Sequence, residues 1–335
     1  MTHAALQTLG AGWLGVAISI TSGVMMTTNA RSQEASPEAL INGLNAVFGQ
    51  HGARASHAKG LCVTGTFTPT ALAKSLSKAA QFAGVVPLLG RFSMGGGNPK
   101  IPDTARPAPR GLALRFDLGA GNAFDLVLLS TPMFFAKTPE QMLGFLQARV
   151  PGPDGKPDPA KIKAFAAGNP DTTKQGAWLA SHPIPASYAG TNYWGIHAFT
   201  FTNADGAATV VKFKAVPQAG EIGMTDEEAK TKTPDFYSED LKQRLSTGPV
   251  SFDLLSIVAE PGDATDDPTA VWPEEARKSV KLGTIALSAI EAPATCDAVV
   301  FDPANLVDGI AGPTNDAIFA VRSPAYAISL SRRAK

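Results

Sequence analysis

Two short segments at opposite ends of the chain hold residue types that could do chemistry together. The first is Arg54-Ala55-Ser56-His57-Ala58-Lys59-Gly60. Only five histidines occur in 335 residues, and His57 is the one that enters a strand-like run with a cation three positions before it. Imidazole titrates near neutrality and guanidinium holds anions, so the pair suits proton handling beside an anionic ligand. By itself the segment reads more readily as an ordinary histidine at a strand start. The second segment is Arg322-Ser323-Pro324-Ala325-Tyr326, with Arg332-Arg333 behind it. Arg and Tyr at i and i+4 share a helix face, where a guanidinium favours the phenolate, a hard anionic ligand for ferric iron. Pro324 lies between the two and removes an interior helix hydrogen bond, which puts that geometry in question. A surface helix with a snorkelling arginine is the plainer reading of this segment alone.

The elements that must position these residues are legible from local signals. Ser36-Pro37-Glu38 opens a helix with an N-cap, a first-turn proline and an early acid; Leu40, Ile41, Leu44, Val47 and Phe48 follow at helical spacing. Thr68-Pro69 and Thr138-Pro139-Glu140 repeat that start signal before Leu72/Leu76/Phe82 and Met142/Leu143/Phe145/Leu146. Eight β-type runs are predicted near 59–67, 84–92, 111–118, 124–131, 196–202, 208–216, 250–259 and 281–290. Gly119-Ala120-Gly121-Asn122 and Asn203-Ala204-Asp205-Gly206 read as hairpin connectors. Residues 151–190, rich in Pro, Gly and Ala, read as an excursion with short helices. Eight mostly antiparallel strands with peripheral helices imply an α+β chain built on a β-barrel.

Composition removes several classes. Lys and Arg number 29, matching 29 Asp and Glu, so no basic excess points to nucleic acid. Residues 1–30 hold no Asp, Glu, Lys or Arg; an apolar stretch from Ala4 to Met26 ends at Thr28-Asn29-Ala30, before Arg31. This reads as a signal peptide over 1–30, followed by a single domain over 31–335 in a periplasmic or secreted protein. Membrane association follows only if the segment stays uncleaved as an anchor. The two cysteines, Cys62 and Cys296, could pair in an oxidising compartment or stay as two buried thiols.

Taken together the segments resemble the haem catalases, and more closely the short catalase-related peroxidases. The matching blocks run in the family's order: RASHAKG with GTF (54–67), RFS (91–93), PRGLALRFDLGAGNAFDLV (109–127), TPMFF (131–135), YWGIHAF (193–199), VWP (271–273), FDPANLVDGI (301–310) and RSPAY (322–326). The resemblance implies haem b beside an eight-stranded antiparallel barrel of catalase type, without the large catalases' extra domains. It implies that His57 is the distal base, Ser93 its hydrogen-bond partner, Tyr326 the iron ligand and Arg322 the cation that keeps that ligand ionised. Arg54, Arg91 and Arg333 match the propionate-holding arginines, a role that bidentate guanidinium suits. Phe134, of the Phe134-Phe135 pair, matches the lining of the distal side, and His197 a core histidine that is structural or haem-adjacent.

One departure bears on function. Catalases carry Asn-Asn before Thr-Pro, the first being the distal amide that works with the histidine; here Leu129-Ser130 precede Thr131-Pro132. Proton transfer from and back to peroxide needs only a base, giving water and a ferryl intermediate, so His57 suffices for the first half-reaction. Orienting a second peroxide as reductant should suffer most, since one such hydrogen bond is worth on the order of 10²-fold. The expectation is a peroxidase acting on hydrogen or organic peroxides with a small organic electron donor, and weak catalase activity. The alternatives are a hydroperoxide-rearranging enzyme of the allene oxide synthase kind, a true small catalase in which Ser130 or water replaces the amide, and a non-enzymatic haem carrier. No nucleic acid is expected as a partner, and a homodimer is one oligomeric form this reading allows.

Overall fold

The structure, a computed structural model, describes residues 1–3 and 35–333. The chain divides into two units, Met1–Gln33 and Glu34–Lys335, and all described elements lie in the second. The expected signal segment, apart from its first three residues, falls outside the described residues.

Eight strands close into an antiparallel barrel: β1 (Gly60–Pro69), β2 (Val86–Met94), β3 (Arg110–Asp117), β4 (Ala123–Leu129), β5 (Tyr193–Trp194), β6 (Ala208–Pro217), β7 (Val250–Val258) and β8 (Ser279–Ile290). Each pairs with the next in sequence, and β8 returns to β1, so no barrel edge is left open. The Gly119–Asn122 turn joins β3 to β4 as expected, with Gly119, Ala120 and Gly121 all at positive φ. Alternation along the strands sends Phe67, Phe92, Phe116, Phe124, Phe213 and Phe252 into the barrel, where all are buried. Their rings meet mostly tilted or edge to face, as Phe67 and Phe116 do at 5.2 Å. Each such burial contributes about 2–3 kcal/mol, so the core sits inside the ring. The residues that alternate outward on β2 and β3 are thereby left free to build a site.

Three further helices pack against one another: α1 (Pro37–Phe48), α2 (Pro139–Gln147) and α3 (Ala317–Arg333). Ser36 caps α1 by accepting from the Ala39 amide at 3.2 Å, and Thr138 caps α2 by accepting from Gln141. Leu40, Leu143 and Val321 pack the three together, and a second cluster of Ile41, Leu44, Leu146 and Ala325 extends the contact. Among the described residues no helix is long and apolar enough to cross a membrane.

Two local expectations need correction. The run at 196–202 is not a barrel strand: that place belongs to Tyr193–Trp194, while Phe199–Thr202 pairs only with β6 and with Ile310–Ala311, outside the ring. The longer run carries the stronger apolar alternation, but the two-residue strand is the one that reaches both β4 and β6. Thr68-Pro69 does not start a helix either. Pro69 ends β1, Thr70 precedes the six-residue helix Ala71–Leu76, and Phe82 belongs to a separate turn, Ala80–Phe82. The cysteines are paired: Cys62 on β1 and Cys296 in the short helix Pro293–Asp297 form a disulfide, Cα to Cα 5.7 Å.

Candidate active site

His57 lies in the bend just before β1, held at φ 53°, a conformation costly for a residue with a Cβ. Arg91 on β2 fixes that bend by donating from Nη1 to the His57 carbonyl at 2.9 Å and from Nη2 to the Ala58 carbonyl at 3.0 Å. Its guanidinium lies where a Cβ on Gly60 would be, so that position admits only glycine. Ser93, two residues along β2 and on the same face, meets His57 Nδ1 through Oγ at 2.9 Å. Gly60, Ser93, Gly111 and Leu129 stand opposite one another across β1 to β4, forming one row on the outer wall. Burial, and then the charges of Arg91 and Arg322, push the His57 pKa down to about 3, so the ring is neutral at ordinary pH. With Nδ1 engaged by Ser93, Nε2 is the nitrogen left for proton transfer.

The second half of the site comes from α3. The helix runs through Pro324, which forfeits only its own amide bond, and Arg322 Nη2 donates to Tyr326 Oη at 2.7 Å. The i,i+4 pair therefore forms. Arg322 Nη1 also meets His197 Nε2 at 2.9 Å, and His197 Nδ1 meets Asp316 Oδ2 at 2.5 Å. Burial holds the His197 pKa at about 4. A neutral ring with its proton on Nδ1 donates to Asp316 and accepts from Arg322, so one tautomer satisfies both bonds. His197 thus buttresses the Tyr326 side through Arg322. Ser329 of α3 accepts from the Ala55 amide at 3.2 Å, tying the Tyr326 helix to the loop that carries His57.

Arg54, Arg91 and Arg333 converge. Arg54 Nη1 bonds Asp297 at 2.9 Å, and Arg54 and Arg333 share the Val299 carbonyl. Burial, and next the charge of Arg54, push Arg91 down to about 9 and Arg333 to about 10. Arg333 Nε is buried with no partner. Three guanidiniums with one bonded carboxylate leave an excess of positive charge that two further carboxylates would neutralise. A phenol oxygen bonded by a guanidinium is a donor set for ferric iron. The residues present therefore fit a haem, whose propionates the arginines would hold and whose iron Tyr326 would hold. Phe134 makes none of these contacts; it lies half-buried in the loop after β4 with its ring 4.3 Å from that of Phe135.

The family model for catalase matches residues 50–334, the span that holds every one of these side chains. The chain belongs to the catalase family. As a member it is an oxidoreductase that acts on peroxide. This catalase-family chain is 39% identical, over 96% of both chains, to a catalase-related peroxidase of Synechococcus elongatus. It is 37% identical to one of Mycolicibacterium paratuberculosis, over 89% of this chain and 94% of that one. The structure of a bacterial catalase superposes with TM-score 0.74 at 26% identity, covering 84% of this chain but 57% of the larger one. The match leaves the remainder of that larger catalase chain uncovered.

Asp316 escaped the sequence reading although it completes the Tyr326 network. Its second carboxylate oxygen accepts from the Phe319 amide at 2.9 Å, a capping signal three residues ahead that the sequence did offer. Asp297 and Gly111 carry no comparable local signal. The structure also separates Leu129 from Ser130. Leu129 stands in the row with Gly111 and Ser93, whereas Ser130 alternates away and its hydroxyl accepts from the Arg110 amide at 2.8 Å.

Proposed function

We propose that this chain is an exported haem b peroxidase that reduces hydrogen peroxide or organic peroxides with electrons from a small organic donor, and that its catalase turnover is weak. The observation that carries the reading is a neutral, half-buried His57 whose Nδ1 is held by Ser93, leaving Nε2 as a general base. His57 takes the proton from the near oxygen of the peroxide and returns it to the departing oxygen. Ser93 and Arg91 hold the ring and its bend in place for both transfers. Tyr326 would hold the iron, stiffened by Arg322, His197 and Asp316, and the three arginines would hold the propionates. Haem bound there would supply the redox chemistry that couples peroxide to the electron donor.

Weak catalase turnover is supported by the apolar Leu129 in the row with Ser93, and by Ser130 being spent on Arg110. Export is supported by the disulfide, which persists in oxidising compartments. The reading is tested by the absorption spectrum of purified, haem-loaded protein before and after peroxide, followed by turnover with a chromogenic phenol. A Soret change on adding peroxide with donor oxidation and little oxygen evolution is expected. Oxygen release at a rate typical of catalases, without donor oxidation, overturns the peroxidase assignment.

A further inference from the structure

The five-residue helix Pro293–Asp297 and the turn after it contact Arg54 and Arg333, and a disulfide ties the helix to the strand position opposite Arg91. Cys296 is bonded to Cys62, and Cys62 stands directly opposite Arg91 in the β1–β2 ladder. Asp297 Oδ1 accepts from Arg54 Nη1 at 2.9 Å, while the Cys296 and Val299 carbonyls accept from Arg54 Nη2 at 2.7 and 3.0 Å. Arg333 Nη2 donates to the Asp297 and Val299 carbonyls at 3.1 and 3.2 Å. The acceptors that aim Arg54 and Arg333 thus all sit between residues 296 and 299. A helix this short has no stability of its own, so its placement depends on what anchors it. The anchor is a covalent bond to the strand position that faces the third arginine.

We propose that the Cys62–Cys296 bridge and Asp297 form the outer frame of the haem-propionate clamp, so that reducing the bridge loosens haem. The inference rests on the haem reading above. A dithiol reductant would deliver two electrons and two protons to the bridge, breaking its S–S bond to leave two thiols while the reductant closes its own disulfide. Residues 293–299 are then free to shift from β1. The arginines lose the acceptors that aim them, and their mutual repulsion spreads them apart. Asp297 is a positioning residue here: it holds Arg54 and does not touch the reacting atoms.

The test follows haem loss from the loaded full chain to excess apomyoglobin, read at the Soret band. The parent is compared with the dithiol-reduced parent, with C62S/C296S and with Asp297→Asn. Each is expected to release haem about ten-fold faster, the scale of one lost charge-assisted hydrogen bond. Resonance Raman propionate bending modes should shift in each, a signature that general loosening elsewhere would not produce. Release within about two-fold of the parent, with unmoved propionate modes, overturns the inference. Should C62S/C296S not fold, the dithiol-reduced parent decides it by the same two readouts. Failure of the parent to take up haem at all would overturn the haem reading itself, and this inference with it.

Discussion

Gly111 offers the sharpest test of how the site is built. A Cβ at this position would lie 2.6 Å from Ser93 Oγ and 2.9 Å from His57 Nδ1. Ordinary contact begins near 3.4 Å, so Gly111→Ala forces the hydroxyl back by about 0.8 Å. β3 cannot yield, being paired to β2 on one side and β4 on the other. His57 has little room, since Arg91 holds its carbonyl at an unusual backbone angle. The Ser93–His57 bond must therefore stretch or break, and the base moves. Misplacement on this scale costs about 10²-fold in rate, equivalent to about 2.7 kcal/mol in the transition state. Overpacking adds about 1–3 kcal/mol of lost stability. Stopped-flow mixing of haem-loaded Gly111→Ala with hydrogen peroxide, followed at the Soret band, measures the loss. Adding Ser93→Ala makes room for the methyl and should restore part of the rate. If Gly111→Ala, with a normal resting spectrum, reacts within about two-fold of the parent, the close-packed row is not what positions His57.

Five further outcomes are expected. His57→Ala should keep the haem spectrum and slow the peroxide reaction by about 10²–10⁴-fold; an unchanged rate would reject the general-base role. Leu129→Asn places an amide in the row with Ser93 and should raise oxygen evolution by on the order of 10²-fold, so no gain in an oxygen-electrode assay counts against the departure argument. Asp316→Asn removes the charge that fixes the His197 tautomer and should shift the resting spectrum, with a stability loss of about 1.5–3 kcal/mol read by denaturant melts. Finally, the peroxide reaction should be flat from about pH 8 to about pH 5 and fall only as pH approaches the His57 value of about 3. Both His57 and His197 gain protons on unfolding below about pH 6.5, so the melting temperature should decline as pH falls from there toward 4.

The sequence by itself settled what depends on neighbours a few residues away. Caps at Ser36 and Thr138 and the Gly119–Asn122 hairpin are set by backbone preferences and short periodicity. The order of the motif blocks, and through it the catalase family, was likewise legible. Tertiary structure decided what joins distant stretches. Spacing alone left open whether Cys62 and Cys296 meet across 234 residues, and the strong alternation at 196–202 hid the two-residue strand that actually closes the ring. Asp316 and Asp297 acquire their roles only when chain closure brings them to His197 and Arg54, which lie 119 and 243 residues away in sequence. Local signals fix elements because their free energies are spent within a turn. Partners across the barrel are chosen by packing of the whole core, which no single segment encodes.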